Sequence, residues 1–287
     1  MKGEKEPHGM KHRVHVEKAK ERRRFLVFTV VVAILLVSVS GFLTYSALTP
    51  SSPSQEANLS SQPKAAIVDQ LSLTFPNQTF VESAKSILKQ AGYAVDYFGR
   101  GKVTVDFYRN LPSYGYRLII LRVHSGTITS QSGELVTLFT SELYDRNKYV
   151  LEQLAGQVME VSHFVDDQTY YFGINQKFVE ESMKGTFRGT VIIMMGCRGL
   201  PSKSIAESFV GKGAKVYIGW DGAVLASHTD EATMCLLQHL INGKEPIMQA
   251  VADTMKEVGP DPTSNGRLSY YPIEAGEQTI EEGSKGK

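Results

Sequence analysis

The chain has 287 residues, 42% of them hydrophobic and 21% charged, with a formal net charge of +1. Those proportions exclude a low-complexity or collagen-like chain and leave room for one large globular core. The near-neutral total conceals an asymmetry: residues 1–24 carry nine Lys or Arg against four Glu, while the remainder carries 22 basic and 26 acidic groups. No basic face is left for the folded part, so nucleic acid is excluded as a partner.

From Phe25 to Leu48 there are 24 residues without a charge. About 20 apolar residues span a bilayer, so this stretch is expected to form one transmembrane helix. Its basic flank (Lys18, Lys20, Arg22, Arg23, Arg24) sets the N-terminus in the cytoplasm and the C-terminal domain outside. A cleaved signal peptide is the competing reading, but its apolar core normally has only about 7–15 residues. Membrane lipid is thus an expected partner, and the cell membrane the expected location. Residues 49–64 are rich in Ser, Pro, Gln and Asn and read as a stalk. Two Asn-x-Ser/Thr triplets, at Asn58 and Asn77, fit an external surface. Two cysteines, Cys197 and Cys235, do not make a disulfide scaffold.

Past the stalk, apolar runs alternate with amphipathic stretches. Residues 64–69 predict a strand, and 78–90 a helix with apolar positions at Phe80, Val81, Ala84, Ile87 and Leu88. A strand over 93–98 follows, then a helix over 104–111 closed by Pro112. Residues 117–123 predict a strand buried on both faces in its middle. The alternation breaks between Ser125 and Gly189, where strand-like pieces (134–139 and 170–174) flank an amphipathic stretch near 148–161. It resumes with a strand at 190–195, a helix at 202–210, a strand at 214–219, and helices at 229–241 and 246–258. The expected fold is α/β, a mostly parallel sheet over 65–272 with helices on both faces, ending in a polar, frayed tail over 273–287.

Functional groups of parallel sheets gather at the carboxyl ends of the strands. Two ends carry chemistry: Val123-His124-Ser125-Gly126 and Met195-Gly196-Cys197-Arg198-Gly199. If the two strands are neighbours, an imidazole and a thiol share one edge. A histidine beside a cysteine favours the thiolate and supplies a proton to a leaving group. Small neighbours (Ser125, Gly126, Gly196) admit a substrate backbone, and backbone N–H groups there can hold an oxyanion. Against this stands the ordinary role of a lone cysteine after an apolar strand, which is core packing. Cys235, in an apolar helical stretch, reads as packing. His163, His228 and His239 have no partners at metal-ligand spacing, so neither a metal nor a cofactor is expected. No Gly-x-Ser-x-Gly elbow is present, which removes the common serine hydrolases.

Strand–His–small–Gly, followed some seventy residues later by strand–Gly–Cys–x–Gly, resembles the caspase-like cysteine peptidases. Gly213–Trp220 and the later Lys244–Val251 also look like that family, so the resemblance covers roughly residues 65–260. It implies a caspase-like fold, a Cys197 nucleophile, His124 as general base or acid, the amides of Ser125, Gly126 and Cys197 as oxyanion donors, a peptide or protein substrate, and hydrolysis without a cofactor. Two departures stand out: Ser125 rather than Gly follows the histidine, and Met195 stands where members that cut after Arg or Lys carry Asp. Asp69, Trp220 and Asp221, at strand ends on the same edge, are candidate substrate-pocket residues, although each also reads as a loop, cap or anchoring residue. The rival function is a caspase-like surface domain that binds or scaffolds without turnover. Oligomeric state is not legible.

Overall fold

The computed structural model describes residues 62–280, apart from 131–132, 165–167 and 202. The basic head, the apolar stretch 25–48, the Asn58 triplet and all but the end of the stalk lie outside the described residues. Among the described residues, no helix is long and apolar enough to cross a membrane.

A six-stranded sheet runs through the domain. Its strands are β1 (Lys64–Asp69), β2 (Ala94–Gly99), β3 (Leu118–Arg122), β8 (Thr190–Met194), β9 (Ala214–Trp220) and β10 (Leu268–Tyr271). Their order is β10-β9-β8-β3-β1-β2, all parallel except β10, which pairs antiparallel with β9. This is an α/β fold with a mixed, mostly parallel sheet flanked by helices. Among the described residues, six α-helices accompany it: α1 (Gln78–Gln90), α2 (Val105–Asn110), α3 (Val150–Leu154), α4 (Ser204–Gly211), α5 (Ala226–Leu237) and α6 (Ile247–Glu257).

The chain moves outward from β1 to β2, then jumps back to place β3 on the other side of β1. Right-handed crossovers taken in opposite directions must put their helices on opposite faces. The side chains obey this. Ala65, Ile67, Leu118, Ile120, Val191 and Ile193 face α1, α5 and α6. The intervening Ala66, Val68, Ile119, Leu121, Ile192 and Met194 face α2, α4 and a second sheet. Strands buried on both sides read as unbroken apolar runs, which is why β3 and β8 were plain in the sequence. Each fully buried core side chain such as Phe80 or Leu88 contributes roughly 1.5–3 kcal/mol.

The second sheet is the segment where the alternation failed. It consists of β4 (Ser125–Ser130), β5 (Gly133–Leu143), β6 (Val158–Val161) and β7 (Tyr171–Asn175), antiparallel in the order β4-β5-β7-β6. The amphipathic stretch near 148–161 resolves into the five-residue α3 and strand β6. Residues 273–280 also differ from the frayed tail expected: Ala275 and Ile280 are buried, and Thr279 accepts a hydrogen bond from Lys215 at 2.6 Å.

One charged cluster lies inside this apolar frame. Arg122, the last residue of β3, is 1% exposed. Its Nη1 donates to Asp69 Oδ1 at 2.8 Å, its Nε to Asp230 Oδ1 at 2.7 Å, and its Nη2 to Asp230 Oδ2 at 2.8 Å and the Phe75 carbonyl at 2.9 Å. Tyr97 donates to Asp69, and Asn77 Nδ2 to Asp230. Burial works against the guanidinium charge, but the carboxylates, Asp230 foremost, outweigh it and hold its pKa above the usual arginine value. Asn77 also caps α1 through Oδ1, which accepts from Phe80 N–H at 3.0 Å. Both ends of its side chain are therefore committed to the fold, and its triplet does not present a free amide for a glycan.

Removing one partner of a buried ion pair leaves the other charge unpaired. Asp230→Ala is expected to lower unfolding stability by about 3–5 kcal/mol. Lys64→Ala, which breaks the half-exposed 3.7 Å pair with Asp96, is expected to cost under about 1 kcal/mol. Denaturant unfolding of the two variants checks this; similar small losses would contradict the assigned weight of the cluster.

Candidate functional site

Strands β3 and β8 are direct parallel neighbours, with Leu121 opposite Met194, and Met195 N–H extends the ladder to the Leu121 carbonyl at 2.9 Å. The loops that leave these strands therefore start side by side. Gly196 is required at this point, because a Cβ there would collide with the Val123 carbonyl and the Ser125 hydroxyl. The Ser125 hydroxyl in turn donates to the Cys197 carbonyl, which fastens the histidine loop to the cysteine loop.

His124 and Cys197 line the same cavity, of about 290 Å³. It opens at the carboxyl ends of β1, β3 and β8, beside the point where the strand order reverses, where ligand sites of open α/β sheets form. The rest of its wall includes Leu71, Phe75, Met195, Val224, Leu225 and Ala226. Both reactive groups are partly exposed. Cys197 Sγ exchanges two hydrogen bonds with one residue: it donates to the Val224 carbonyl and accepts from the Val224 N–H, each at 3.4 Å. Arg198 adopts the left-handed region (φ 50°), donates its N–H to the Gly222 carbonyl at 2.7 Å, and holds an exposed side chain.

The imidazole is held more elaborately. His124 N–H donates to Gln70 Oε1 at 2.8 Å, and His124 Nε2 pairs with the Thr74 hydroxyl at 2.8 Å. Gln70 uses its other end, Nε2, on His163 Nε2 at 2.8 Å. The His163 ring stacks on His124 (centroids 4.9 Å apart, 27°) and on Tyr171 (4.3 Å, 25°). Phe75 and Phe139 add tilted contacts to His124 at 5.8 and 5.9 Å. Gln70, Thr74 and His163 were not legible as site residues, because they come from two segments far from His124 in the chain, one after β1 and one after β6; only the topology brings them together.

Other expected site residues are placed differently. Gly126 is tied into the second sheet. Phe139 N–H reaches the His124 carbonyl at 3.0 Å, which makes Ser125–Leu138 a non-hydrogen-bonded pair and commits Gly126 N–H to Thr137. Ser125 N–H consequently faces away from β5, leaving Ser125 and Cys197 as the oxyanion candidates. Asp69 does not line the cavity; it is 1% exposed and bound to Arg122. Trp220 is likewise 1% exposed, its indole donating to the Thr229 hydroxyl at 2.9 Å, so it anchors α5 rather than facing substrate. Asp221 is exposed, outside the cavity lining, and accepts from Arg267 N–H at 2.6 Å. His228 leans on Trp220 at 5.6 Å, away from the cavity.

The wall segment Val224–Leu225 is itself pinned. Buried Asp261 accepts from Leu225 N–H at 2.8 Å, from Thr263 N–H and hydroxyl at 2.9 and 2.7 Å, and from Ser264 N–H at 2.9 Å. Burial alone would raise its pKa; these donors, led by Leu225 N–H, overcome that and hold it well below the usual carboxylate range. A pKa depressed on folding gives stability that is present above the unfolded value of about 3.9 and is lost as pH falls toward the folded one. Asp261→Asn is expected to cost about 1–3 kcal/mol at neutral pH and to flatten the acid side of the stability–pH curve. Unfolding measured from neutral to strongly acid pH checks this; parallel curves for wild type and variant would contradict it.

No known family model matches the sequence, and no curated protein matches it. Among solved structures, the protein GSU0716 from Geobacter sulfurreducens aligns at TM-score 0.40 and 10% identity, over 76% of this chain and 97% of that one. The Drosophila initiator caspase Dronc aligns at TM-score 0.36 and 10% identity, over 75% of this chain and 79% of that one.

Proposed function

We propose that this chain is a membrane-anchored, caspase-like cysteine peptidase that acts on peptide or protein substrates outside the cytoplasm. The observation that carries the reading is the convergence of His124 and Cys197 on one partly open cavity at adjacent strand ends. The Cys197 sulfur attacks the scissile carbonyl carbon as its proton passes to the imidazole. The carbonyl oxygen takes up the negative charge against the N–H groups of Ser125 and Cys197, each such donor being worth roughly 3–4 kcal/mol of barrier. Collapse of the tetrahedral adduct breaks the C–N bond, and His124 returns the proton to the leaving amine. Water then hydrolyses the thioester, with the imidazole as base. The apolar segment 25–48 and its basic flank supply the anchor and its orientation.

The cavity wall gives the reading a direction in substrate. Among the described residues, no Asp, Glu, Lys or Arg lines it, and Leu71, Phe75, Val224, Leu225 and Ala226 do. A charged side chain would be desolvated there without a partner, so the residue next to the scissile bond should be apolar.

A second reading, a domain that binds without turnover, draws on the partners the reactive groups already have: Thr74 on His124 Nε2, and Val224 on the sulfur.

Incubating the full-length protein with a mixed peptide library tests both readings. Cleavage beside apolar residues, at least about 10-fold faster than beside Asp or Lys and abolished by Cys197→Ala, is expected. A thiol-reactive peptide should label Cys197 in wild type and much more slowly in His124→Ala. Cys235 should contribute little to the labelling, since burial and its contact with Glu257 push its pKa up to about 11. Absent cleavage with equal labelling of wild type and His124→Ala would favour the binding domain.

A further inference from the structure

A second constellation lies away from the cavity, on helices α5 and α6. Cys235 and His239 are four residues apart, across the junction of α5 with the π-turn Gln238–Asn242, so both project from one side. Glu257, at the end of α6, meets them. Cys235 Sγ lies 3.3 Å from Glu257 Oε2, and His239 Nε2 lies 3.1 Å from Glu257 Oε1. The sulfur, the imidazole nitrogen and a carboxylate oxygen all fall within 4.8 Å of one another. Bonds of about 2.0–2.3 Å in a tetrahedral centre put ligand atoms at about this separation.

The fourth residue is the more telling one. His239 Nδ1 is 2.8 Å from Glu245 Oε1, and Glu245 N–H also donates to the His239 carbonyl at 3.1 Å. A carboxylate on one imidazole nitrogen fixes the tautomer and turns the lone pair of the other toward an incoming cation, the usual outer partner of a metal-bound histidine. The second oxygen of Glu245 is buried without a hydrogen-bond partner among the described residues. Glu257 keeps a largely exposed side chain, which gives a cation a path in and leaves a coordination position for water.

We propose that Cys235, His239 and Glu257 form a zinc site, with Glu245 orienting the imidazole and water as the fourth ligand. A thiolate, an imidazole and a carboxylate suit Zn²⁺ rather than Ca²⁺ or Mg²⁺, which prefer oxygen ligands alone. On binding, the sulfur–metal bond replaces the S–H bond, and the thiol proton leaves to solvent. The ion would clip the end of α5 to the end of α6. The chain spacing concealed this site, because its carboxylate comes from the next helix. The site stands independently of the peptidase reading.

Titrating the full-length protein with Co²⁺ as a spectroscopic stand-in tests it. One equivalent should bring up a thiolate-to-cobalt charge-transfer band, which Zn²⁺ then displaces. Asp253 has a carboxylate oxygen within 4.8 Å of ligand atoms of His239 and Glu245 but is not one of the three proposed ligands. The band should persist in Cys197→Ala and in Asp253→Asn, and vanish in Cys235→Ser. Glu257→Gln, at an exposed position that spares the fold, should weaken affinity at least about 10-fold, and Glu245→Gln by about 10–100-fold. No band in wild type, a band unchanged by Cys235→Ser, or loss of the band in Asp253→Asn would each overturn the assignment.

Discussion

The buried guanidinium of Arg122 is the constraint on which the cavity edge of the sheet depends. It closes the end of β3 against Asp69 from β1 and Asp230 from α5, and it holds the Phe75 carbonyl of the segment leading into α1. A charge this deep costs several kcal/mol to desolvate, and four hydrogen bonds from its five N–H donors, three of them to carboxylates, make that tolerable. Those bonds demand that three elements arrive at fixed positions. Two residues later the chain presents His124, so the registration of the imidazole follows from that of the guanidinium. Hydrophobic packing of the strands sets which faces are buried. The ion cluster sets how their carboxyl ends line up.

Beyond that frame, the site is built from short-range exclusions. Gly196 has no room for a side chain, Ser125 bonds across to the Cys197 carbonyl, and Gln70 joins the backbone of one histidine to the ring of another. The stacked trio of His124, His163 and Tyr171 confines the imidazole plane while leaving one edge toward the cavity. Aromatic rings also lower the local water content. Charge developing between sulfur and imidazole would therefore be weakly screened, and the pair correspondingly stronger.

Much of the frame was legible in the sequence, and the reasons are specific. β1, β3, β8 and β9 are largely apolar runs, and α1 carries its apolar positions at helical spacing, so 64–69 and 78–90 were read to their observed bounds. β4 and β10 escaped notice because Ser125-Gly126-Thr127 and Leu268-Ser269-Tyr270 have weak strand signals, their placement coming instead from pairing with β5 and β9. The positions of His124 and Cys197 just past neighbouring strands were legible because strand ends are marked by where apolar runs stop. Asp69 and Trp220 were misplaced for the same reason: a strand end can point into the core as readily as out, and nothing local says which. Burial of an aspartate is decided by a partner, and Arg122 looked like an ordinary strand-terminal residue until Asp230 came back from 108 positions further along.

The double hydrogen bond between Cys197 and Val224 engages only main-chain atoms of residue 224. The sulfur's placement is therefore indifferent to which side chain stands there, provided the loop path is kept by Asp261. The side chains of residues 224 to 226, which line the cavity, can therefore differ without moving the Cys197 sulfur. Anchoring through peptide groups separates the shape of the cavity wall from the position of the sulfur.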